Sequence, residues 1–310
     1  MQWKGRRQSS NVEDRRGQGV PASGGSSRAG GGILNVLLMG FVRASPKVKI
    51  IMVVVAAIGF VFFRGPMMQL LSTSSGSSTT SPRIEQTTPG EDDEMRAYLS
   101  TMMADNEEVW TRVLSQTRYE FRPSRMVIYS QRTSTPGGIA DARMGPFYLP
   151  NNQTIYIDPS FFRELKEKFG ANGDFAEAYV VAHEYGHHIQ NILGRLKELH
   201  SKQGKVSKIE YNHASVRVEL QADFLAGVFA RNAQNTFGQF LESGDIEEAM
   251  RAAQAIGDDR IQKDLGPGHV NPDSFTHGTS AQRARWFNEG FESGDLRVGE
   301  QLFTLPYEQL

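Results

Sequence analysis

The segment VVAHEYGHHIQN, at positions 180–191, holds three histidines and one glutamate within six positions. His183 and His187 are four positions apart, so on a helix they stand one turn apart on the same face. Two imidazoles in this arrangement can bind one zinc ion, and Glu184 between them can act as a general base toward water on that ion. His188 would point about 140° away from His183. The spacing therefore predicts two zinc ligands and one base, with His188 in a packing role.

A third protein ligand must come from elsewhere, because Gln190 and Leu193 replace the glycine and last histidine of the extended form of this motif. The chain has no cysteine, so the ligand is a His, Asp or Glu. The later segment VRVELQADFLAGVFA places Glu219 and Asp223 four positions apart on one face of a predicted helix. Two histidines and one glutamate form an established catalytic zinc site, and Asp223 could accept a hydrogen bond from a zinc-binding histidine.

The alternative is that Glu219 and Asp223 are ordinary solvated charges on a helix surface. The residues that follow Asp223 are almost all apolar. An unpaired carboxylate in apolar surroundings is costly, which favours the ligand interpretation.

The ends and the middle of the motif helix carry further signals. Asp174 and Glu177 have the spacing of a capping box, and Gly194 suits a helix end, so the helix is predicted over Phe175–Leu193. Gly186 lies inside it, where glycine costs about 1 kcal/mol relative to alanine. A glycine at this position predicts that the substrate or a neighbouring helix approaches the backbone closely.

A second cluster of polar residues lies in the segment FTHGTSAQRARWF. Thr279 and Gln282 form a predicted capping box, which places His277 in the loop just before a helix that contains Arg283. At the edge of a cleft, His277 could hydrogen-bond the oxyanion that forms during hydrolysis. It could also serve as a temporary fourth metal ligand, or the histidine and the arginine could both be structural.

These residues must be positioned by a folded domain, predicted over residues 94–310. Short strands are predicted in RMVIYS, GPFYLP and TIYID, because these runs are rich in β-branched and aromatic residues between turn signals. The pattern beyond them is helical. A small sheet followed by a helical half indicates an α+β fold. The predicted helices cover 161–169, 175–193, 208–232, 246–263 and 280–291.

The region before this domain has a different composition. Residues 1–47 are basic and rich in Gly and Ser, which predicts a disordered tail. Residues 48–71 include the apolar run Ile50–Phe63 and are predicted to be a transmembrane anchor. Residues 72–93 have the composition of a polar linker. Positive charges before the anchor predict a cytoplasmic N-terminus and a domain outside the cytoplasm. The net charge of −1 argues against nucleic-acid binding.

Several segments resemble the family of neutral zinc metallopeptidases, which are bacterial, membrane-anchored, zincin-like proteins. The segments are MQWKGRRQSSNVEDRRG, GPFYLPNNQTIYIDPSFF, VVAHEYGHHIQN, ELQADFLAG and THGTSAQRARWF. The resemblance implies a zincin-like domain, Zn2+ bound by His183 and His187, and Glu184 as the catalytic residue. Analogy with other glutamate zincins implies Glu219 as third ligand. It also implies a peptide or protein substrate and a location in the bacterial inner membrane.

The sequence therefore supports the hypothesis of a membrane-anchored zinc endopeptidase, with Glu184 as general base, His277 as an assisting catalytic residue and Asp223 behind the metal. The segment from GPFYLP to TIYID is expected to supply an edge strand along which a peptide substrate lies. The competing hypothesis is a membrane-tethered interaction protein with a structural or inactive zinc site.

Overall fold

Residues 1–18, 89–264 and 270–310, which the computed structural model describes, form a mainly helical fold with a small sheet. The strands are β1 (Val12–Asp14), β2 (Arg125–Ile128), β3 (Arg132–Thr135), β4 (Gly138–Asp141), β5 (Phe147–Leu149) and β6 (Thr154–Ile157). The helices are α1 (Pro89–Leu114), α2 (Ser160–Phe169), α3 (Asp174–Leu193), α4 (Arg195–Lys202), α5 (Lys208–Phe237), α6 (Asp245–Ala255), α7 (Asp258–Asp264) and α8 (Ser280–Ser293). The predicted α+β class is confirmed.

Four strands form one sheet in the order β1-β2-β6-β5. β1, β2 and β6 are parallel, whereas β5 pairs antiparallel with β6 and forms an edge of the sheet. Ile155 and Ile157 of β6 belong to the main hydrophobic core, and Tyr156 belongs to a second cluster with Val127 and Tyr129, because alternate residues of a strand face opposite sides. β3 and β4 form a separate antiparallel hairpin.

The N-terminal residues are part of this fold. Val12 of β1 lies opposite Met126 of β2 in the parallel register. Arg6 donates a hydrogen bond of 2.7 Å to the buried carboxylate of Asp105 in α1. The prediction of a disordered tail is therefore wrong for residues 1–18. The basic composition of this segment indicated disorder, but in the fold a basic side chain pairs with an acidic residue of α1 and the backbone pairs with the edge of β2.

The predicted membrane anchor at residues 48–71 lies outside the described residues. None of the helices that the structure describes is long and apolar enough to cross a bilayer. Helix α1 begins at Pro89, within the predicted linker over residues 72–93.

The packing of residues 1–18 constrains how the chain meets a membrane. These residues belong to the same compact unit as residues 89–264 and 270–310. A single crossing between them would separate β1 from β2, so it is incompatible with the paired sheet. The predicted arrangement, with residues 1–47 in the cytoplasm and the domain from residue 94 outside, conflicts with this packing.

Glycine allows two close helix crossings around α5. A Cβ atom on Gly186 of α3 would lie 3.0 Å from the carbonyl oxygen of Ala222 in α5. The close neighbour of Gly186 is therefore a helix, one of the two partners that the sequence predicted. A Cβ on Gly227 of α5 would overlap the carbonyl oxygen of Phe287 in α8, and Gly290 of α8 makes the reciprocal approach to α5.

The helix ends differ from the prediction at two places. The N-cap of α3 is Gly173, with no side-chain cap, so the predicted capping box of Asp174 and Glu177 is wrong. Gly194 ends α3 in the left-handed conformation, as predicted, with φ of 86°. The helix predicted over 246–263 is broken into α6 and α7 at residues 256 and 257. The start of α8 approaches this break so closely that a Cβ on Gly257 would overlap the backbone nitrogen of Ser280.

Candidate metal centre

Three predicted ligands converge where α3 crosses α5. His183 Nε2 lies 3.4 Å from Glu219 Oε2, and His187 Nε2 lies 3.6 Å from the same oxygen. The two imidazole rings are 4.9 Å apart between centroids and nearly perpendicular. His183, His187 and Glu219 each present one possible metal-binding atom, and these atoms all lie within 4.8 Å of one another.

The distances suit a tetrahedral zinc site. Zinc–nitrogen and zinc–oxygen bonds of 2.0–2.2 Å place two tetrahedral ligand atoms about 3.3–3.5 Å apart. The separations of 3.4 and 3.6 Å from Glu219 to the two histidines lie close to this range. The residues present therefore fit the metal that the sequence predicted.

Asp223 holds His183 in the orientation that a metal requires. His183 Nδ1 donates a hydrogen bond of 2.8 Å to Asp223 Oδ1. This contact fixes the proton on Nδ1 and leaves Nε2 free to face Glu219. Asp223 itself is fully buried, and Tyr179 donates a hydrogen bond of 2.5 Å to the same oxygen. The structure thus brings Asp223 to His183, the contact that the sequence predicted, and its role behind a metal stays a prediction.

Arg283 neutralises the buried carboxylate of Asp223. Its Nε and Nη2 donate to the two oxygens of Asp223 at 2.8 and 3.0 Å, which is a bidentate pairing. Nη2 also donates to Tyr179 at 3.2 Å, and Nη1 donates to the carbonyl of Ile256 at 3.1 Å. The arginine that the sequence left without a role therefore links α8 to the metal-binding helix α3 through Asp223.

A different contact orients His187. Its Nδ1 donates to Gln190 Oε1 at 2.9 Å, which leaves Nε2 for the metal. Gln190 is fully buried and donates in turn to the carbonyl of Val218 and to Gln221 Oε1. This function of Gln190 was not predicted from the sequence. Its position three residues after His187, on the same helix face, was the available signal.

The charges of the site complement a divalent cation. Burial would raise the pKa of Asp223, but Arg283 and His183 outweigh this effect and hold it at about 2. Burial lowers the pKa of His183, yet Asp223 and Glu219 raise it to about 9. Because Arg283 balances Asp223, the carboxylate of Glu219 is left to balance a cation at Nε2 of the histidines.

Glu184 lies beside these ligands with 8% of its surface exposed. Burial lowers the pKa of His187, but Glu219, with a smaller contribution from Glu184, raises it above its ordinary value. Within the described residues the carboxylate of Glu184 makes no hydrogen bond or ion pair, so both oxygens remain available as acceptors. This is the environment expected of a carboxylate that accepts a proton from a substrate or from water.

His277 lies near enough to this site for its charge to act on Glu219. The side chain is 42% exposed, and its charge helps Glu219 to keep a pKa well below the usual range, after the larger effect of His187 and against that of burial. Its Nδ1 is oriented toward Asp258 Oδ1 at 3.2 Å and toward Thr276 Oγ at 3.0 Å. Asp258 was missed in the sequence because the helix break that exposes its carboxylate was not predicted.

His188 has the packing role that its position predicted. It is fully buried, with Nδ1 at 2.9 Å from the hydroxyl of Tyr148 and Nε2 at 2.6 Å from the carbonyl of Arg122. Burial lowers its pKa, and a neutral ring can accept from Tyr148 while it donates to Arg122. His188 thereby ties the edge strand β5 to helix α3.

Comparison with known proteins gives a family match along nearly the whole chain. Residues 1–301 match the model of the family described as "Putative neutral zinc metallopeptidase". The match includes residues 1–18, of which Val12–Asp14 form strand β1. The comparison with solved structures found no match.

Curated relatives include proteins of Escherichia coli and of Mycobacterium tuberculosis. The protein named Uncharacterized protein YpfJ of Escherichia coli K12 is 40% identical over 295 residues, which is 95% of this chain and 96% of the relative. Uncharacterized protein Rv2575 of Mycobacterium tuberculosis H37Rv is 44% identical over 183 residues, which is 56% of this chain and 60% of the relative.

Proposed function

Because the chain belongs to the neutral zinc metallopeptidase family, we propose that it is a zinc-dependent endopeptidase that hydrolyses peptide bonds with Glu184 as general base. The observation that carries this proposal is the convergence of His183, His187 and Glu219 on one point, beside a buried Glu184 without a hydrogen-bond partner in the described chain. A site that only stabilised the fold would have no need of such a carboxylate.

His183, His187 and Glu219 would hold the zinc ion, which supplies Lewis-acid polarisation of the substrate carbonyl and a lower pKa for bound water. Glu184 accepts a proton at a carboxylate oxygen from the attacking water. It then returns this proton to the nitrogen of the leaving amine. The two histidine ligands are held from behind, His183 by Asp223 and His187 by Gln190, so their rings need little rearrangement during the reaction.

His277 is positioned to assist at the exposed side of the site. Its Nδ1 is held by Asp258, so Nε2 is available to donate a hydrogen bond. We assign it to the oxygen of the substrate carbonyl, which gains negative charge as water attacks. The raised pKa of His277 supports a charged donor, since Asp258 and Glu219 overcome the opposing effect of burial.

The edge strand β5 is the proposed docking site for the substrate backbone. β5 pairs with β6 on one side, and among the described strands no other pairs with it. The hydroxyl of Tyr148 on β5 bonds His188 and Asn191 of α3, which ties the strand to the helix with the motif. An extended peptide can add to such an edge by backbone hydrogen bonds. A complex with a peptide inhibitor that lacks backbone pairing to β5 would refute this assignment.

The competing function is that of an interaction protein whose zinc is structural. A structural zinc site usually has four protein ligands, whereas a catalytic one has three and leaves a position open. Among the described residues, three side chains form the cluster at α3 and α5. The three-ligand set favours catalysis.

Metal analysis together with peptide cleavage tests the proposal. The full-length protein, its Glu184→Gln variant and its His183→Ala variant are incubated with a proteome-derived peptide library, and new termini are identified by mass spectrometry. We expect zinc in the wild type and in Glu184→Gln, with cleavage by the wild type alone. Zinc in both, with cleavage by neither, would favour the structural alternative.

Membrane attachment through residues 48–71 is proposed from the sequence. We propose in addition that residues 1–18 and 89–310 share one side of the membrane, because they build one sheet. Whichever side this is, the catalytic site and the N-terminal residues face the same compartment.

A further inference from the structure

The backbone around His277, in the loop before α8, is held by the carboxylate of Asp258. Asp258 Oδ2 accepts hydrogen bonds from three successive backbone N–H groups, those of Thr276, His277 and Gly278, at 2.7, 2.6 and 3.2 Å. The backbone N–H of Asp258 donates to the carbonyl of Gly278 at 2.9 Å. The first residue of α7 therefore fixes the backbone on both sides of His277.

The second oxygen of Asp258 acts on the side chain. Oδ1 lies 3.2 Å from His277 Nδ1, so the carboxylate holds the loop with one oxygen and the imidazole with the other. Nδ1 and Nε2 lie on opposite sides of the ring. A ring held at Nδ1 by α7 therefore presents Nε2 away from α7.

We infer that Asp258 is a positioning residue for His277: it sets the direction of the imidazole and keeps a proton on Nδ1, so that Nε2–H points to the developing charge on the substrate. This inference rests on the proposed peptidase function. Asp258 touches neither the substrate nor the metal, and it acts through the histidine alone.

The electrostatic surroundings agree with this geometry. The hydrogen bonds from His277 and the backbone hold the pKa of Asp258 below its usual range, although burial opposes this. The charged groups that act on His277 are Asp258 from α7, Glu219 from α5 and Arg283 from α8. The two carboxylates favour the protonated imidazole and Arg283 disfavours it, so removal of the Asp258 charge shifts this balance toward the neutral ring.

The neighbouring residue provides a matched control. Asp259 also lies in the first turn of α7, and it accepts hydrogen bonds from the backbone N–H and the hydroxyl of Ser280 at 2.7 and 2.9 Å. It anchors the same loop to the same helix without a contact to His277. Asparagine keeps one oxygen that can accept the backbone hydrogen bonds. Asp259→Asn therefore removes a charge that does not contact the imidazole, whereas Asp258→Asn removes the charge beside it.

The first measurement is independent of activity. Metal-free protein labelled with 15N-histidine is titrated by NMR, with the His277 signal identified from its absence in His277→Ala. We expect Asp258→Asn to lower the pKa of His277 by about one unit or more, because loss of a nearby opposite charge has this effect. Asp259→Asn should leave it unchanged. An unchanged pKa of His277 in Asp258→Asn overturns the inference.

The second measurement uses a peptide that the wild type cleaves. We expect His277→Ala to lower kcat about 100-fold, as loss of an oxyanion donor does, and Asp258→Asn to lower it about 10-fold with little change in KM. Adding Asp258→Asn to His277→Ala should cause no further loss. Additive losses, or an equal loss in Asp259→Asn, overturn the inference.

Two outcomes separate this inference from the function on which it rests. If the wild type cleaves no peptide, the proposed function fails and the NMR titration still decides whether Asp258 controls His277. If Asp258→Asn does not fold, the carboxyl pKa of Asp258 is followed by 13C NMR in His277→Ala. A rise toward the ordinary range supports the pairing, and an unchanged value overturns it.

Discussion

Gly186 lies against Ala222 so closely that the smallest side chain would bring a Cβ within 3.0 Å of the Ala222 carbonyl oxygen. This contact sets the distance between α3 and α5. The same crossing brings Glu219 Oε2 to 3.4 Å from His183 Nε2. The glycine inside the metal-binding motif therefore serves the metal site through helix packing.

Gly186→Ala is expected to destabilise the protein by about 1–3 kcal/mol, since an added methyl group has no room at this crossing. Movement of α5 should also lower zinc affinity. Chemical denaturation and a competition assay with a zinc chelator measure the two effects. Gly90→Ala is the control, because Gly90 is a helical glycine with open space around its Cβ position. Unchanged zinc affinity in Gly186→Ala would contradict the prediction.

The ligand set predicts which variants lose zinc. Glu219→Ala removes an atom that faces both histidines, so zinc affinity should fall by more than the roughly 10- to 100-fold that follows loss of an outer contact. His188→Ala removes a buried packing residue and should reduce stability while zinc remains bound. Elemental analysis of the purified variants measures both. Zinc retained in Glu219→Ala and lost in His188→Ala would reverse the assignment.

Arg283 and Asp223 form a buried pair, so removal of one partner should be costly. Arg283→Met leaves the carboxylate of Asp223 buried without its cation, which is expected to destabilise the fold by about 3–5 kcal/mol. Arg285→Met, an exposed change on the same helix, should cost far less. Urea denaturation compares the two. If both variants lose the same free energy of unfolding, the buried pair of Arg283 and Asp223 does not stabilise the fold as predicted.

The contact between residues 1–18 and α1 should make the stability of the fold depend on pH. Burial raises the pKa of Asp105 to about 7, although Arg6 opposes this. Because the pKa of Asp105 is higher in the folded state than in the unfolded state, protonation of this carboxyl stabilises the folded protein. This stabilisation is fully present below the unfolded pKa of about 4 and is lost as pH rises through 7. The free energy of unfolding should fall by up to about 1.4 kcal/mol per pH unit in this window.

Asp105→Asn tests this pH dependence. It removes the titrating carboxyl while it keeps an oxygen that can accept from Arg6. Urea denaturation at pH 4.5, 6 and 7.5 should show a smaller loss of stability with pH in Asp105→Asn than in the wild type. Parallel curves for the two proteins would contradict the assigned pKa shift.

The absence of cysteine makes the membrane arrangement directly testable. Ser10→Cys and Ser201→Cys each introduce one thiol at an exposed position, the first in the N-terminal segment and the second at the end of α4. Intact cells are treated with a membrane-impermeant maleimide, and lysed cells are the control. Because both positions belong to one unit, both should label in intact cells, or neither should. Labelling of one position alone would support the arrangement predicted from the sequence, with the N-terminal segment and the domain on opposite sides of the membrane.

The sequence by itself determined the parts of the site that lie within one turn of helix. The spacing of His183 and His187 fixes their shared face, and that of Glu219 and Asp223 does the same on the next helix of the site. The capping box of Thr279 and Gln282 was predicted correctly and is present in α8. These features depend on local geometry, which the periodicity of a helix sets without help from the rest of the chain.

Only the tertiary structure decided what each of these faces meets. The fold pairs Arg283 with Asp223 across 60 positions and Asp258 with His277 across 19. It also places residues 1–18 beside β2, although their composition is typical of disorder. Contacts between distant segments depend on how helices and strands pack. The partner of a buried charge is therefore set by the fold and not by the local sequence. For this reason the candidate ligands and Asp223, which stand at helical spacing, were predicted from the sequence, whereas the partners of Arg283 and Asp258 were not.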